Sequence, residues 1–99
     1  MHEYRIYTKI PNLPLEPEDQ WEPLMTLLEH DHSELGPIIG WEDDTAVIIL
    51  ALNAEDESDA ASKTTAVLAA ALRASGLGDH YPAELEIELI DAEREAAAL

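Results

Sequence analysis

The sequence predicts an α+β sandwich: a four-stranded antiparallel sheet with two helices on one face, in the order βαββαβ. Three observations carry that expectation. Residues 46–52, Ala-Val-Ile-Ile-Leu-Ala-Leu, form a continuous apolar run rich in β-branched side chains. The run is too short for an ordinary helix and reads as a strand buried on both faces, hence central in a sheet. Residues 3–10 and 83–90 alternate apolar and polar with period two, the pattern of half-covered strands. Two further stretches, one on each side of the central run, repeat their apolar residues at helical spacing.

In the first strand, residues 3–10, Tyr4, Ile6, Thr8 and Ile10 share one face and Glu3, Arg5, Tyr7 and Lys9 the other. Pro11-Asn-Leu-Pro14 breaks it into a loop. The first helix follows. Asp19 with Glu22 has the spacing of a capping box, which places Pro23 in the first turn; a start at Pro23 itself is nearly as good. Trp21, Leu24, Met25 and Leu28 form its apolar stripe, and Gly36-Pro37 stops it. Next comes a hairpin. Its first arm carries Pro37 and Gly40, which suits an edge strand. Asp43-Asp44 supplies the turn, because Asp tolerates left-handed backbone better than most residues.

Acidic residues 53–59 lead into the second helix, which runs to about Ser75. Its expected inward stripe is Ala61, Thr65, Leu68 and Leu72, with Thr64, Val67 and Ala71 beside it. Asp56, Glu57 and Asp59 near its start and Arg73 near its end complement the helix dipole. Gly76 followed by Leu77 has the form of a left-handed C-cap with its hydrophobic contact. In the last strand, residues 83–90, Leu85, Ile87 and Leu89 point one way and Glu84, Glu86 and Glu88 the other. Residues 91–99 form an Ala- and Glu-rich tail, expected to fray or dock.

This order of elements is the ferredoxin-like arrangement, a single domain over residues 1–99 with its core in about 3–90 and strand order 4-1-3-2. The charges agree with that order. Strands one and four become antiparallel neighbours, and Arg5 and Lys9 then face Glu84, Glu86 and Glu88. With a two-residue turn, Ile39, Trp41, Ile48, Leu50 and Leu52 fall on the helix side with Tyr4, Ile6, Ile10, Leu85, Ile87 and Leu89. Ile38, Val47, Ile49 and Ala51 fall on the open side next to Tyr7. A one-residue change of turn length exchanges the two sides of the hairpin. An open face this apolar requires a cover. The first expectation is a second copy of the chain, making a homodimer through Tyr7, Ile38, Val47, Ile49 and Ala51, flanked by Arg5 and Lys9. The alternative cover is the tail or a loop of the same chain.

The charge balance, 22 acids against 5 bases and formally −17, opposes binding to nucleic acid or an anionic membrane, both of which need basic surface. It leaves open an acidic decoy that occupies a basic partner protein, since acids cluster in residues 16–22, 42–44, 55–59 and 91–95. The absence of cysteine excludes disulfides, thiolate metal sites and a cysteine nucleophile. No segment has the roughly 20 apolar residues of a membrane helix, and residues 1–11 do not read as a secretory signal, so a cytoplasmic location is the expectation.

His30, Asp31 and His32 lie near Glu29 and Glu34, but His30 and His32 point apart on a helix. Neither His30–Glu34 nor Glu29–His32 makes a three-ligand site. Asp79-His80 has no companion nucleophile, and Ser33, Ser58, Ser62 and Ser75 sit in helix or cap contexts without a nucleophile elbow. Phosphate-loop and dinucleotide patterns are missing. RNA-recognition domains share the strand order but use aromatics on strand three, where this chain has none. No catalytic, cofactor-binding or metal-binding residue is therefore assigned. The expected function is a non-enzymatic protein-interaction module; the remaining alternative is a small dimeric α/β-barrel-type enzyme.

Tyr4-Arg5-Ile6, Gly36-Pro37 followed by Trp41, and Leu77-Gly78 leading to Tyr81-Pro82 resemble small acidic ferredoxin-like proteins encoded by high-GC Gram-positive bacteria and their phages. That family carries no assigned activity, so the resemblance implies a fold and no site residues.

Overall fold

Asp43, in left-handed backbone at φ 54°, and Asp44 close a two-residue turn, and the register of the hairpin follows from it. Glu42 pairs with Thr45, Gly40 with Val47 and Ile38 with Ile49. The computed structural model describes residues 2–90. Its strands are β1 (His2–Ile10), β2 (Ile38–Glu42), β3 (Thr45–Ala54) and β4 (Glu84–Leu89); its helices are α1 (Glu22–Asp31) and α2 (Glu57–Ala74). Every strand pair is antiparallel and the order across the sheet is β2-β3-β1-β4, the expected order read from the opposite edge. The expectation for the tail, including its possible role as a cover, lies outside the described residues.

Both helices lie against the same side of the sheet. Leu24, Met25 and Leu28 of α1 and Ala60, Leu68, Ala71 and Leu72 of α2 enclose one core with Tyr4, Ile6, Ile10, Ile48, Leu50 and Leu52. Leu85 and Ile87 of the edge strand pack against it and stay partly exposed.

Helix one begins differently from the expectation. Asp19 lies inside a 3₁₀ turn, Glu18–Gln20, and Trp21 takes the cap position without a side-chain capping bond to the helix. The capping box does not form, because an N-cap residue needs extended backbone and Asp19 is already turned. Pro23, with its preset φ, supplies the start instead. The helix also closes early, at Asp31. A second 3₁₀ turn, Ser33–Leu35, follows, and Gly36 ends that turn in left-handed backbone at φ 59°.

The inward stripe of α2 is turned by one residue from the expectation. Ala60, Thr64, Leu68 and Leu72 are buried at successive steps of four, together with Ala71, whereas Thr65 is exposed and Ala61 only partly covered. Counting back from the two leucines in fours gives the observed set. At its start the Asp56 carboxylate accepts from the Asp59 N–H at 2.8 Å. Asp59 in turn accepts from the Glu55 N–H at 3.0 Å and pairs with Lys63 at 3.1 Å. The Glu55 N–H first, and Lys63 second, hold the Asp59 carboxyl below its ordinary range. That contribution is present above the ordinary carboxylate range and is lost as pH falls through the depressed folded-state value. At the other end the Leu77 N–H reaches the Leu72 carbonyl at 2.7 Å and the Gly76 N–H the Arg73 carbonyl at 3.3 Å. This is a full Schellman cap, closed by the buried Leu77 side chain.

Two hydroxyls in the core, Thr8 Oγ1 and Thr64 Oγ1, are fully buried without a hydrogen-bond partner. An unsatisfied buried hydroxyl costs about 1–3 kcal/mol. Thr8→Val keeps the shape and removes that cost, so it should raise the unfolding free energy by about 1 kcal/mol. Urea unfolding measures this, and a lowered midpoint would mean that the hydroxyl is satisfied in solution.

Candidate interaction face

The pleat sends alternate residues of every strand away from the helices. Register places Gly40, Val47, Lys9 and Glu84 in one row across the sheet, and Ile38, Ile49, Tyr7 and Glu86 in the next. Ala51, Arg5 and Glu88 make a third. All seven residues expected on the open side therefore share one face. Ile38 is 61% exposed, and Val47, Ile49, Ala51 and Tyr7 are each partly exposed. Their counterparts on the helix side of β3, Ala46, Ile48 and Leu50, are buried.

The face is banded across the strands. β2 and β3 carry the apolar band, β1 carries Arg5, Tyr7 and Lys9, and β4 carries the three glutamates. The charge pairing expected between β1 and β4 is present: Arg5 lies 3.6 Å from Glu88, and Lys9 lies 3.7 Å from Glu84. Lys9 also reaches 3.2 Å from Glu42, a partner the sequence reading assigned only to the turn cluster. The signal that finds it is the same two-residue turn, which puts Glu42 on this face one row beyond Val47. A concavity of about 300 Å³ surrounds this lysine, lined by Tyr7, Lys9, Glu42, Val47, Glu84 and Glu86. The hydrogen bond to Glu42, then the charges of Glu42 and Glu84, hold the Lys9 ammonium above its ordinary value. Its contribution is fully present below the ordinary lysine range and fades as pH rises through the raised value. These pairs are solvent-exposed and orient the face more than they stabilise it.

The histidines do not converge. His30 is exposed, with Nδ1 2.8 Å from Asp31 Oδ1, in a shallow open groove along α1 that includes Asp19, Glu22 and Leu27. His32 approaches Glu34 at 4.0 Å. Because α1 ends at Asp31, the helical His30–Glu34 face never forms. His80 donates its backbone N–H to the Leu77 carbonyl in the loop before β4. Ser75 Oγ serves the end of α2, bonding the Ala71 carbonyl at 2.7 Å. Among the described residues no three His, Asp or Glu side chains are grouped to hold a metal ion, and no helix is long and apolar enough to cross a membrane.

No protein-family model, curated protein or solved structure matches this chain.

Proposed function

We propose that the chain is a ferredoxin-like, cytoplasmic, non-enzymatic interaction module whose open sheet face pairs with a second copy of itself. One observation supports this above the others. Ile38, Val47, Ile49 and Ala51 form a continuous apolar band beside Tyr7 on the side of the sheet that neither helix covers. Burying that band removes apolar surface from water at roughly 25 cal/mol per Å². Self-pairing needs no second gene product and is the commonest form of protein assembly.

The test is Val47→Asp with Ile49→Asp, compared with the wild type by light scattering after size exclusion. The wild type runs as a concentration-dependent dimer, and the double variant runs as a monomer with its circular dichroism unchanged. A variant mass equal to that of a dimeric wild type sinks the reading.

A further inference from the structure

We infer that the outer edge of β4 is a docking strand for an extended segment of alternating basic and apolar residues from a partner protein. It uses the edge of the sheet rather than its open face, and stands apart from the self-association reading.

β4 ends the sheet. β1 lies on one side of it, and among the described residues no strand lies on the other. Along such an edge the backbone presents N–H and carbonyl groups outward, a template for a further strand. Proteins that recognise extended peptides use this mode: the main chain supplies affinity, and alternate side chains supply specificity. β2 also ends the sheet, but it carries one acid, Glu42, and so selects no charge pattern.

The two sides of β4 define the segment that fits. Glu84, Glu86 and Glu88 line the open-face side, and β1 neutralises them only in part. Lys9 lies 3.7 Å from Glu84 but closer, at 3.2 Å, to Glu42, and the Glu84 side chain stays 71% exposed. Tyr7, not a base, stands opposite Glu86. On the helix side Leu85, Ile87 and Leu89 are partly exposed, whereas their partners on β1, Thr8, Ile6 and Tyr4, are buried. The apolar row therefore lacks a neighbour where the acid row lacks bases. A strand added here sets lysine or arginine beside the glutamates, with Cβ atoms about 4.5–5.5 Å apart, and apolar residues beside Leu85, Ile87 and Leu89.

The same charges reject other occupants. A second β4 sets glutamates against glutamates, which is destabilising. Residues 91–99 carry three acids and one base, the wrong sign for this edge.

The probe is a fluorescein-labelled Lys-Val-Lys-Val-Lys-Val-Lys peptide, titrated by anisotropy, with amide hydrogen exchange followed by NMR. Two controls separate strand addition from plain attraction to a chain of net charge −17. One is the same peptide N-methylated at every residue, which keeps the charge and cannot form the ladder. The other is Glu29→Lys on an exposed position of α1, the same charge change as Glu86→Lys. The unmethylated peptide should bind about tenfold more tightly than the methylated one, and Glu86→Lys should cost about tenfold where Glu29→Lys costs less than about twofold. Saturation should slow exchange of the outward β4 amides about tenfold. Equal binding of the two peptides, or equal losses for the two variants, overturns the docking strand in favour of charge attraction alone. Absence of binding also overturns it, as do outward β4 amides already protected in the free protein. The methylation and exchange measurements use the wild type, so they decide the matter even where Glu86→Lys disturbs the fold.

Discussion

Trp41→Ala lowers the free energy of unfolding by about 3–5 kcal/mol, a large share of the total for a domain of this size. The residue stands on the helix side of an edge strand, yet it organises the approach to α1. Its ring lies 4.7 Å from that of Trp21, tilted by 54°. Its Nε1–H donates to the Leu13 carbonyl at 2.8 Å, and the Trp21 Nε1–H donates to the Leu15 carbonyl at 2.7 Å. Leu13 itself is fully buried and its N–H bonds the Asp44 carbonyl at 3.0 Å. The two indoles therefore fix the loop after β1 against the hairpin turn. Trp41→Phe keeps most of the ring contact and loses one hydrogen bond, a cost of about 1 kcal/mol beyond the reduced area. Urea unfolding followed by far-UV circular dichroism separates the two variants. A loss below about 1 kcal/mol for the alanine variant would show that the loop holds without the clamp.

Raising sodium chloride from about 10 mM to about 0.5 M raises the melting temperature by roughly 5–10 °C, the equivalent of about 1–2 kcal/mol. A net charge of −17 on 99 residues makes the folded state repel itself. The attractive pairs that oppose this, Arg5 with Glu88, Lys9 with Glu42 and Glu84, and Lys63 with Asp59, are exposed and individually weak. Salt screens both kinds of interaction, and with so few bases the repulsive kind dominates. Chloride is the right anion for the test, because sulfate strengthens apolar burial on its own account. A falling melting temperature over this range would mean that the attractive pairs outweigh the surplus of acids.

Much of the sheet could be read in the sequence because its information is local or periodic. The run through Val47 and Leu52 marks a central strand, alternation in β1 and β4 fixes which side chains share a side, and Asp43-Asp44 sets the hairpin register. Opposite charges at Arg5, Lys9 and the β4 glutamates then select the neighbour of β1, and the observed pairing agrees. What escaped the reading depends on three-dimensional packing. Trp21 looks like a helix-stripe residue, but it stands at the cap position because its indole turns back to Leu15 and Trp41. The α2 stripe lies one position from the expectation because Ala61 and Thr65 are as small and neutral as Ala60 and Thr64, so residue type does not mark the face and only the step of four from Leu68 and Leu72 does. Glu42 as a partner of Lys9 emerges only when the hairpin register and the neighbouring β1 are aligned in three dimensions. The face itself was accessible to sequence reasoning, because strand alternation and the hairpin register sort its residues.

The placement of β1 has a bearing on how the chain is assembled. β1 lies between β3 and β4, and its partner on one side, Tyr4 opposite Leu89, is almost the whole chain away. Sheets closed by such distant pairings form slowly. Until β4 arrives, a nine-residue strand edge with Ile6 and Ile10 on one side stands open to any passing chain. A product cut short before Glu84 would keep that edge permanently bare, and its natural fate is aggregation.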